Sequence, residues 1–245
     1  MDAIYTAEQE CKASMCDNTG FLSIPAMLDL LMDAATTHAI QMGCGFPQLA
    51  TRNLFWLTVK TKAIIASLPR MGETFTIRSW PEAPDKMRCN RSYELSQDGR
   101  VLVRAKTEWA ILNTATGGLA PIAEVYPQGL TFPDPACPEP FVRIADTFGD
   151  IAPFATYTVR STDIDVGHHM NNVAYSRAVL GSFSCAELAA MDIHEVDAVF
   201  RNQCFEGETL SVQQRPVTNQ NGEAAGIDVR LANADGKTIF LVRLA

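Results

Sequence analysis

The residues best suited to chemistry are concentrated in one stretch, Asp163-Ile164-Asp165-Val166-Gly167-His168-His169-Met170-Asn171-Asn172-Val173-Ala174-Tyr175, which holds two of the chain's four histidines. Asp165 and His169 supply a carboxylate and an imidazole whose ordinary pKa lies near neutrality, a pairing that can move protons at a carbonyl centre. His169 is the candidate base. Asp165 either orients its ring or binds the attacking water. Asn171 and Asn172 stand directly before a helix-like run ending near Met191, and Asn caps a helix by accepting the unpaired N–H groups of its first turn. The pair therefore falls in a loop leading into a helix N-terminus, whose partial positive charge favours an oxygen that becomes negative during acyl transfer. The two asparagines have a sufficient role as caps and a secondary one in binding substrate.

The elements that must hold this loop occur twice. In the first half a weakly alternating strand covers residues 5 to 12, and the turn-like Cys16-Asp17-Asn18-Thr19-Gly20 follows. Ile24, Met27, Leu28, Leu31, Met32, Ala35, Ala39 and Met42 then recur at three- and four-residue steps, which predicts an amphipathic helix capped by Ser23 and ended by Gly43 or Gly45. Four β-rich segments come next: Leu54 to Ser67, Glu73 to Trp80, Met87 to Ser96 and Val101 to Asn113. Pro121, Pro127, Pro133, Pro135, Pro138 and Pro140 crowd a span that cannot run as central strand or helix interior, so residues 121–153 read as a linker. The plan then returns over 154–245, with strands at Ala155 to Ser161, Val196 to Cys204, Thr209 to Pro216, Gly226 to Leu231 and Lys237 to Leu244. Gly72-Glu73-Thr74-Phe75-Thr76-Ile77 recurs as Gly207-Glu208-Thr209-Leu210-Ser211-Val212, and Asp98-Gly99-Arg100 as Asp235-Gly236-Lys237. Asp17 falls where Asp165 does, with Phe21 in place of His169. The common order of these matches points to an internal repeat spanning residues 1–120 and 154–245.

Asp-x-x-x-His-Met-Asn-Asn-x-x-Tyr at 165–175 resembles the Asp-x-Asn-x-His-Val-Asn-Asn-x-x-Tyr signature of the acyl-ACP thioesterases. The resemblance implies an α+β double hotdog, two helix-wrapped antiparallel sheets in one chain, that hydrolyses acyl-ACP to free fatty acid and carrier protein. It gives Asp165 and His169 the catalytic Asp and His, and places the family's catalytic Asn on Gly167. The family's Tyr-Arg-Arg-Glu-Cys segment falls on Phe200-Arg201-Asn202-Gln203-Cys204. Cys204 thus becomes a third catalytic candidate, as a thiolate beside His169, while Gln203 can hydrogen-bond a substrate but cannot take a proton. Taken alone, Cys204 reads as a buried structural thiol. The N-terminal copy, apolar where the motif would stand, is expected to hold the acyl chain, with Trp56 near that pocket. One active site per chain follows, with acyl carrier protein bearing acyl-phosphopantetheine as partner and a homodimer left open.

Composition narrows the alternatives. At 245 residues and 47% hydrophobic, the chain can bury a sizeable core. Its net charge of -8 excludes nucleic acid as an expected partner. Seven scattered cysteines without a C-x-x-C pair argue for reduced thiols, and no ligand spacing suggests a metal or an organic cofactor. Without a long apolar run or a basic leader, a cytoplasmic protein with no membrane span is expected. Acyl carrier proteins are acidic, so the basic residues between Arg78 and Lys106 read either as a docking patch or as a solvated strand face of mixed charge. An acyl-CoA thioesterase uses the same chemistry. Hotdog dehydratases carry Asp-x-Asn-Pro-x-His, and at Asp163, Asp165, Val166 and His168 both the Asn and the Pro are missing. A non-catalytic acyl-binding descendant is the remaining class.

Overall fold

The helical period that begins after Ser23 is realised as α1, Ile24–Gln41, in the computed structural model, which describes residues 3–245. Ser23 Oγ accepts the Ala26 N–H at 3.3 Å, Pro25 occupies the first turn, and Gly43 follows the C-cap at a φ of 74°. Met27, Leu28, Leu31, Ala35 and Ala39 form its buried stripe. A short second helix that the sequence reading lacked, α2 at Phe46–Ala50, has Pro47 in its first turn.

The chain divides into two compact units, one ending at Glu139 and the other beginning at Pro140. In the first, strands β1 (Tyr5–Glu10), β2 (Leu54–Ile65), β3 (Thr74–Pro81), β4 (Cys89–Gln97) and β5 (Arg100–Asn113) pair antiparallel in the order β1-β3-β4-β5-β2, and the short β6 (Leu119–Ala120) adds to β5. In the second, β7 (Ala155–Thr158), β8 (Glu195–Phe200), β9 (Thr209–Thr218), β10 (Ala224–Ala232) and β11 (Thr238–Leu244) pair in the order β7-β9-β10-β11-β8. First, third, fourth, fifth, second: both sheets share one topology. The internal repeat is thus a repeat of architecture. It extends to the turns, since Gly72 and Gly207 both hold left-handed backbone, at φ 84° and 85°.

Each sheet carries a helix on one face. In the first unit His38 on α1 meets Arg91 of β4, with Nδ1 3.1 Å from a guanidinium nitrogen that also donates to Ser79 on β3. In the second unit the helix face of the sheet presents Phe200 and Phe240 to Tyr175, at ring separations of 5.8 and 5.4 Å. The single helix expected up to Met191 is two, α3 (Asn172–Leu180) and α4 (Cys185–Met191). Gly181 closes α3, and Ser184 with Glu187 forms a capping box that starts α4 anew.

The Pro-rich span 121–153 contains only a 3-10 turn, Ile122–Glu124, yet it packs as two straps. Side chains alternate across a strand, so Trp80, Ser92, Arg104 and Lys106 face away from α1. All four bind residues 134–139: Trp80 Nε1 donates to Asp134 O at 3.0 Å, Ser92 Oγ accepts Ala136 N–H at 2.9 Å, Lys106 donates to Glu139 O, and Arg104 pairs with the Glu139 carboxylate at 2.8 Å. In the second unit Ile144 and Phe148 pack on Val199 and Leu241. Asp228 sits there in register between Arg215 of β9 and Arg243 of β11, accepting from both at 2.7 to 3.2 Å. The basic stretch 78–106 is no bare basic surface: Arg78, Arg88 and Arg104 each pair with a glutamate, and Arg91 and Lys106 are buried. Among the described residues no helix is long and apolar enough to cross a membrane.

Candidate active site

The polar stretch folds as a tight loop between a 3-10 turn, Ser161–Asp163, and α3. Its base is braced by Asp163, a buried carboxylate that accepts Tyr157 OH at 2.8 Å and the Arg160 N–H at 2.7 Å, while its carbonyl accepts the Asn171 N–H. Asp165 N–H donates to His169 O at 3.1 Å and His168 N–H to Asp165 O at 3.0 Å, which turns the chain back on itself. His168 carries the left-handed corner, φ 61°, and is exposed. Asn171 is the N-cap of α3, its side chain accepting the Val173 N–H at 2.8 Å, and Asn172 is the first helical residue. His169 therefore lies two positions ahead of the cap.

Asp165 and His169 lie side by side in this loop. Their side chains keep 24% and 13% of their surface in solvent, so both are held yet reachable. Asp165 Oδ1 accepts the Gly167 N–H at 2.8 Å and stands 3.9 Å from His169 Nδ1, too far for a hydrogen bond but near enough to stabilise an imidazolium. Nδ1 lies 3.2 Å from the carbonyl oxygen of Met170. A carbonyl can only accept, so this contact puts the proton on Nδ1 and leaves Nε2 as the basic nitrogen. The carbonyl of Met170 was not legible as a partner, because any residue type supplies one.

Cys204 is brought to the same loop in another capacity. Met170 N–H donates to Cys204 O at 2.9 Å, which ties the stretch after β8 to the polar loop. The strand expected to run to Cys204 ends at Phe200; the Arg201 and Asn202 N–H groups both donate to Ile239 O, and the Asn202 amide donates to Thr238 O. The Cys204 thiol is fully buried, 3.4 Å from Met170 Sδ and 3.5 Å from Tyr175 OH. Burial pushes it up to about 11, so at neutral pH it is a thiol rather than the thiolate a nucleophile requires. Burial likewise drives the Tyr175 hydroxyl far above its ordinary range, which makes it a neutral partner for that sulfur. This geometry favours the structural thiol over the catalytic role expected for Cys204. Gln203, one residue earlier, is exposed.

Trp56 belongs to the first unit. Its Nε1 donates to Cys44 O at 2.8 Å, and its ring meets Trp109 edge-on at 6.2 Å and Tyr126 at 5.9 Å. These rings pack on an apolar cluster that includes Cys44, Leu49, Leu54, Ile111, Ile122 and Val125. The sequence reading had no signal for Tyr126, which lies in the Pro-rich span. Among the described residues, no group of three or more His, Cys, Asp or Glu side chains could hold a metal ion.

The acyl-ACP thioesterase N-terminal domain matches residues 2–128 and the corresponding C-terminal domain matches residues 151–244. A palmitoyl-acyl carrier protein thioesterase, chloroplastic, from Gossypium hirsutum is 27% identical over 221 residues, 83% of this chain and 52% of that protein. The chain thus spans about half the length of the curated relatives it matches. Among solved structures, an acyl-ACP thioesterase from Bacteroides thetaiotaomicron superposes at a TM-score of 0.81 with 20% identity, covering 99% of this chain and 97% of that one. The 12:0-ACP thioesterase from Umbellularia californica gives a TM-score of 0.80 at 17% identity, covering 100% and 97%. These likenesses identify the α+β architecture as the double hotdog, two helix-wrapped antiparallel sheets in one chain. With the two domain matches covering most of its length in the expected order, the chain belongs to the acyl-ACP thioesterase family.

Proposed function

We propose that this protein hydrolyses the thioester of an acyl-[acyl carrier protein], releasing a free fatty acid and the carrier's phosphopantetheine thiol. The observation that carries the reading is the Asp165–His169 pair, with the imidazole proton held on Nδ1 and a helix N-terminus two residues away. His169 Nε2 takes a proton from water as the water oxygen bonds to the thioester carbon. Asp165 stabilises the imidazolium that results. The negative charge on the carbonyl oxygen is favoured by the N-terminal field of α3. When the C–S bond breaks, the imidazolium returns its proton to the departing sulfur, leaving a carboxylic acid and a thiol.

Water rather than Cys204 is the nucleophile in this scheme, because the buried sulfur is protonated. Asn171 and Asn172 hold the helix end, and exposed Gln203 offers a hydrogen bond to the pantetheine arm. The repeat divides the labour: the second unit carries the catalytic pair, and the first, with Trp56 in its aromatic and aliphatic cluster, holds the acyl chain. A place in fatty acid synthesis and a cytoplasmic location belong to the same reading.

The test is thiol release from a panel of acyl-ACPs of increasing chain length, with the matching acyl-CoAs alongside. Turnover on acyl-ACP exceeding that on acyl-CoA is the expected result. Preference for acyl-CoA reassigns the carrier, and binding of acyl-ACP without thiol release makes the protein a non-catalytic acyl-ACP binder.

A further inference from the structure

Two loops of this chain follow one course. In Asp17-Asn18-Thr19-Gly20-Phe21 and Asp165-Val166-Gly167-His168-His169, the Asp N–H donates to the carbonyl of the ring residue, at 2.8 Å to Phe21 and 3.1 Å to His169. The fourth residue donates its N–H to the Asp carbonyl, at 3.2 and 3.0 Å, and is left-handed, with φ 81° at Gly20 and 61° at His168. In both loops the third residue donates its N–H to the Asp Oδ1 at 2.8 Å. Each loop then enters a helix through a side-chain cap, Ser23 or Asn171. The backbone is held constant, so the side chains make a controlled comparison.

They part at the third position. Thr19 uses its hydroxyl to donate to Asp17 Oδ1 at 2.6 Å, and the Phe21 ring lies under the guanidinium of Arg70 at 4.8 Å. At Gly167 that side chain is missing, and the His169 ring lies over the loop in its place. A Cβ on Gly167 would stand 2.8 Å from His169 Nε2, 3.3 Å from its Cδ2 and 3.0 Å from Asp165 Oδ1. Real Cβ atoms essentially never come within 3.0 Å of another heavy atom. The backbone makes no demand for glycine here, since the φ of Gly167 is outside the left-handed region. What the position excludes is a Cβ against the basic nitrogen.

We infer that Gly167 is a positioning residue for His169: its bare α-carbon is the seat on which the Nε2 edge rests beside Asp165. The inference rests on the reading of His169 as the general base. The family signature has Asn at this position, so restoring an amide looks like a gain. The geometry says the reverse. Any side chain, the amide included, must push the imidazole off its seat, and because the clash falls on the movable end of a ring, the fold survives while the base is displaced.

Gly167→Ala, Gly167→Thr and Gly167→Asn test this, each read in two ways on folded protein. In all three, kcat for thiol release is expected to fall about 10- to 100-fold, the scale of misplacing a reacting group by about an ångström, with KM little changed. The imidazole NMR signals of His169, assigned by their loss in His169→Ala, are expected to move, while those of His194 stay. Wild-type kcat in Gly167→Ala overturns the inference whether or not the signals move, and so does a rise in kcat in Gly167→Asn. If Gly167→Thr melts early, Gly167→Ala, which adds one carbon, carries the test. A wild-type protein with no hydrolysis sinks the catalytic reading alone; unmoved imidazole signals in Gly167→Ala would then reject the seat separately.

Discussion

At the scale of single residues, the proton on His169 Nδ1 decides what the site can do. In the proposed mechanism the Met170 carbonyl keeps it there, Nε2 serves as the base, and Asp165, at 3.9 Å, acts through charge rather than through a hydrogen bond. Asp165→Asn should therefore lower kcat less than His169→Ala, because the ring keeps its tautomer without the carboxylate. Equal losses in the two variants would show that Asp165 touches the reacting atoms itself. The sulfur of Cys204 leads to a second expectation: Cys204→Ala keeps most of the wild-type kcat and loses about 1 kcal/mol of stability through its small cavity. Iodoacetamide near neutral pH should label exposed Cys185 and spare Cys204. Early labelling of Cys204 together with loss of activity would restore it as a nucleophile. Residue types gave away the Asp165–His169 pair because few side chains move protons at neutral pH. They could not separate a buried thiol from a reactive one, since that difference is made by Met170 and Tyr175 packing around the sulfur.

At the scale of elements, what was readable followed from periodicity and caps. Ser23 and Asn171 each mark a helix start by a side chain that accepts a first-turn N–H, and removing the Asn171 oxygen in Asn171→Ala should cost about 1 kcal/mol in a thermal or urea melt. A variant as stable as wild type would mean that the cap is not holding α3. The break between α3 and α4 escaped notice because the apolar spacing runs on through it, while Gly181 and the Ser184–Glu187 box impose the stop. The straps were missed for a related reason: proline rules out helix and central strand but is silent on whether extended chain packs. Cross-strand register was equally invisible, and it puts Asp228, 1% exposed, between Arg215 and Arg243. Asp228→Asn leaves two guanidinium groups without their carboxylate and should destabilise the protein by about 3 kcal/mol. A loss below about 1 kcal/mol, the ordinary worth of an exposed pair, would contradict a buried cluster.

At the scale of the whole molecule, one architecture built twice carries an imidazole in one of its two loops, at His169, and a phenyl ring at Phe21 in the other. The thiols distributed through both units give the chain a common response to alkali. Burial raises Cys44, Cys89 and Cys204 from an ordinary 9.0 to about 11. Below pH 9.0 folded and unfolded chains both keep these protons, and the thiols take nothing from stability. Above it the unfolded chain ionises first, so stability falls until the folded thiols also ionise near pH 11, by on the order of 2 kcal/mol for each thiol. A melting temperature that holds level across that window would show the thiols to be more accessible than their burial implies. The central claim remains that the surviving polar loop is a hydrolytic centre, and its most direct test is the rate of thiol release from a long-chain acyl-ACP by His169→Ala set against wild type at matched fold. The account predicts a loss of about 10²- to 10⁴-fold, the usual contribution of a positioned general base. Undiminished release by a folded His169→Ala protein would contradict it.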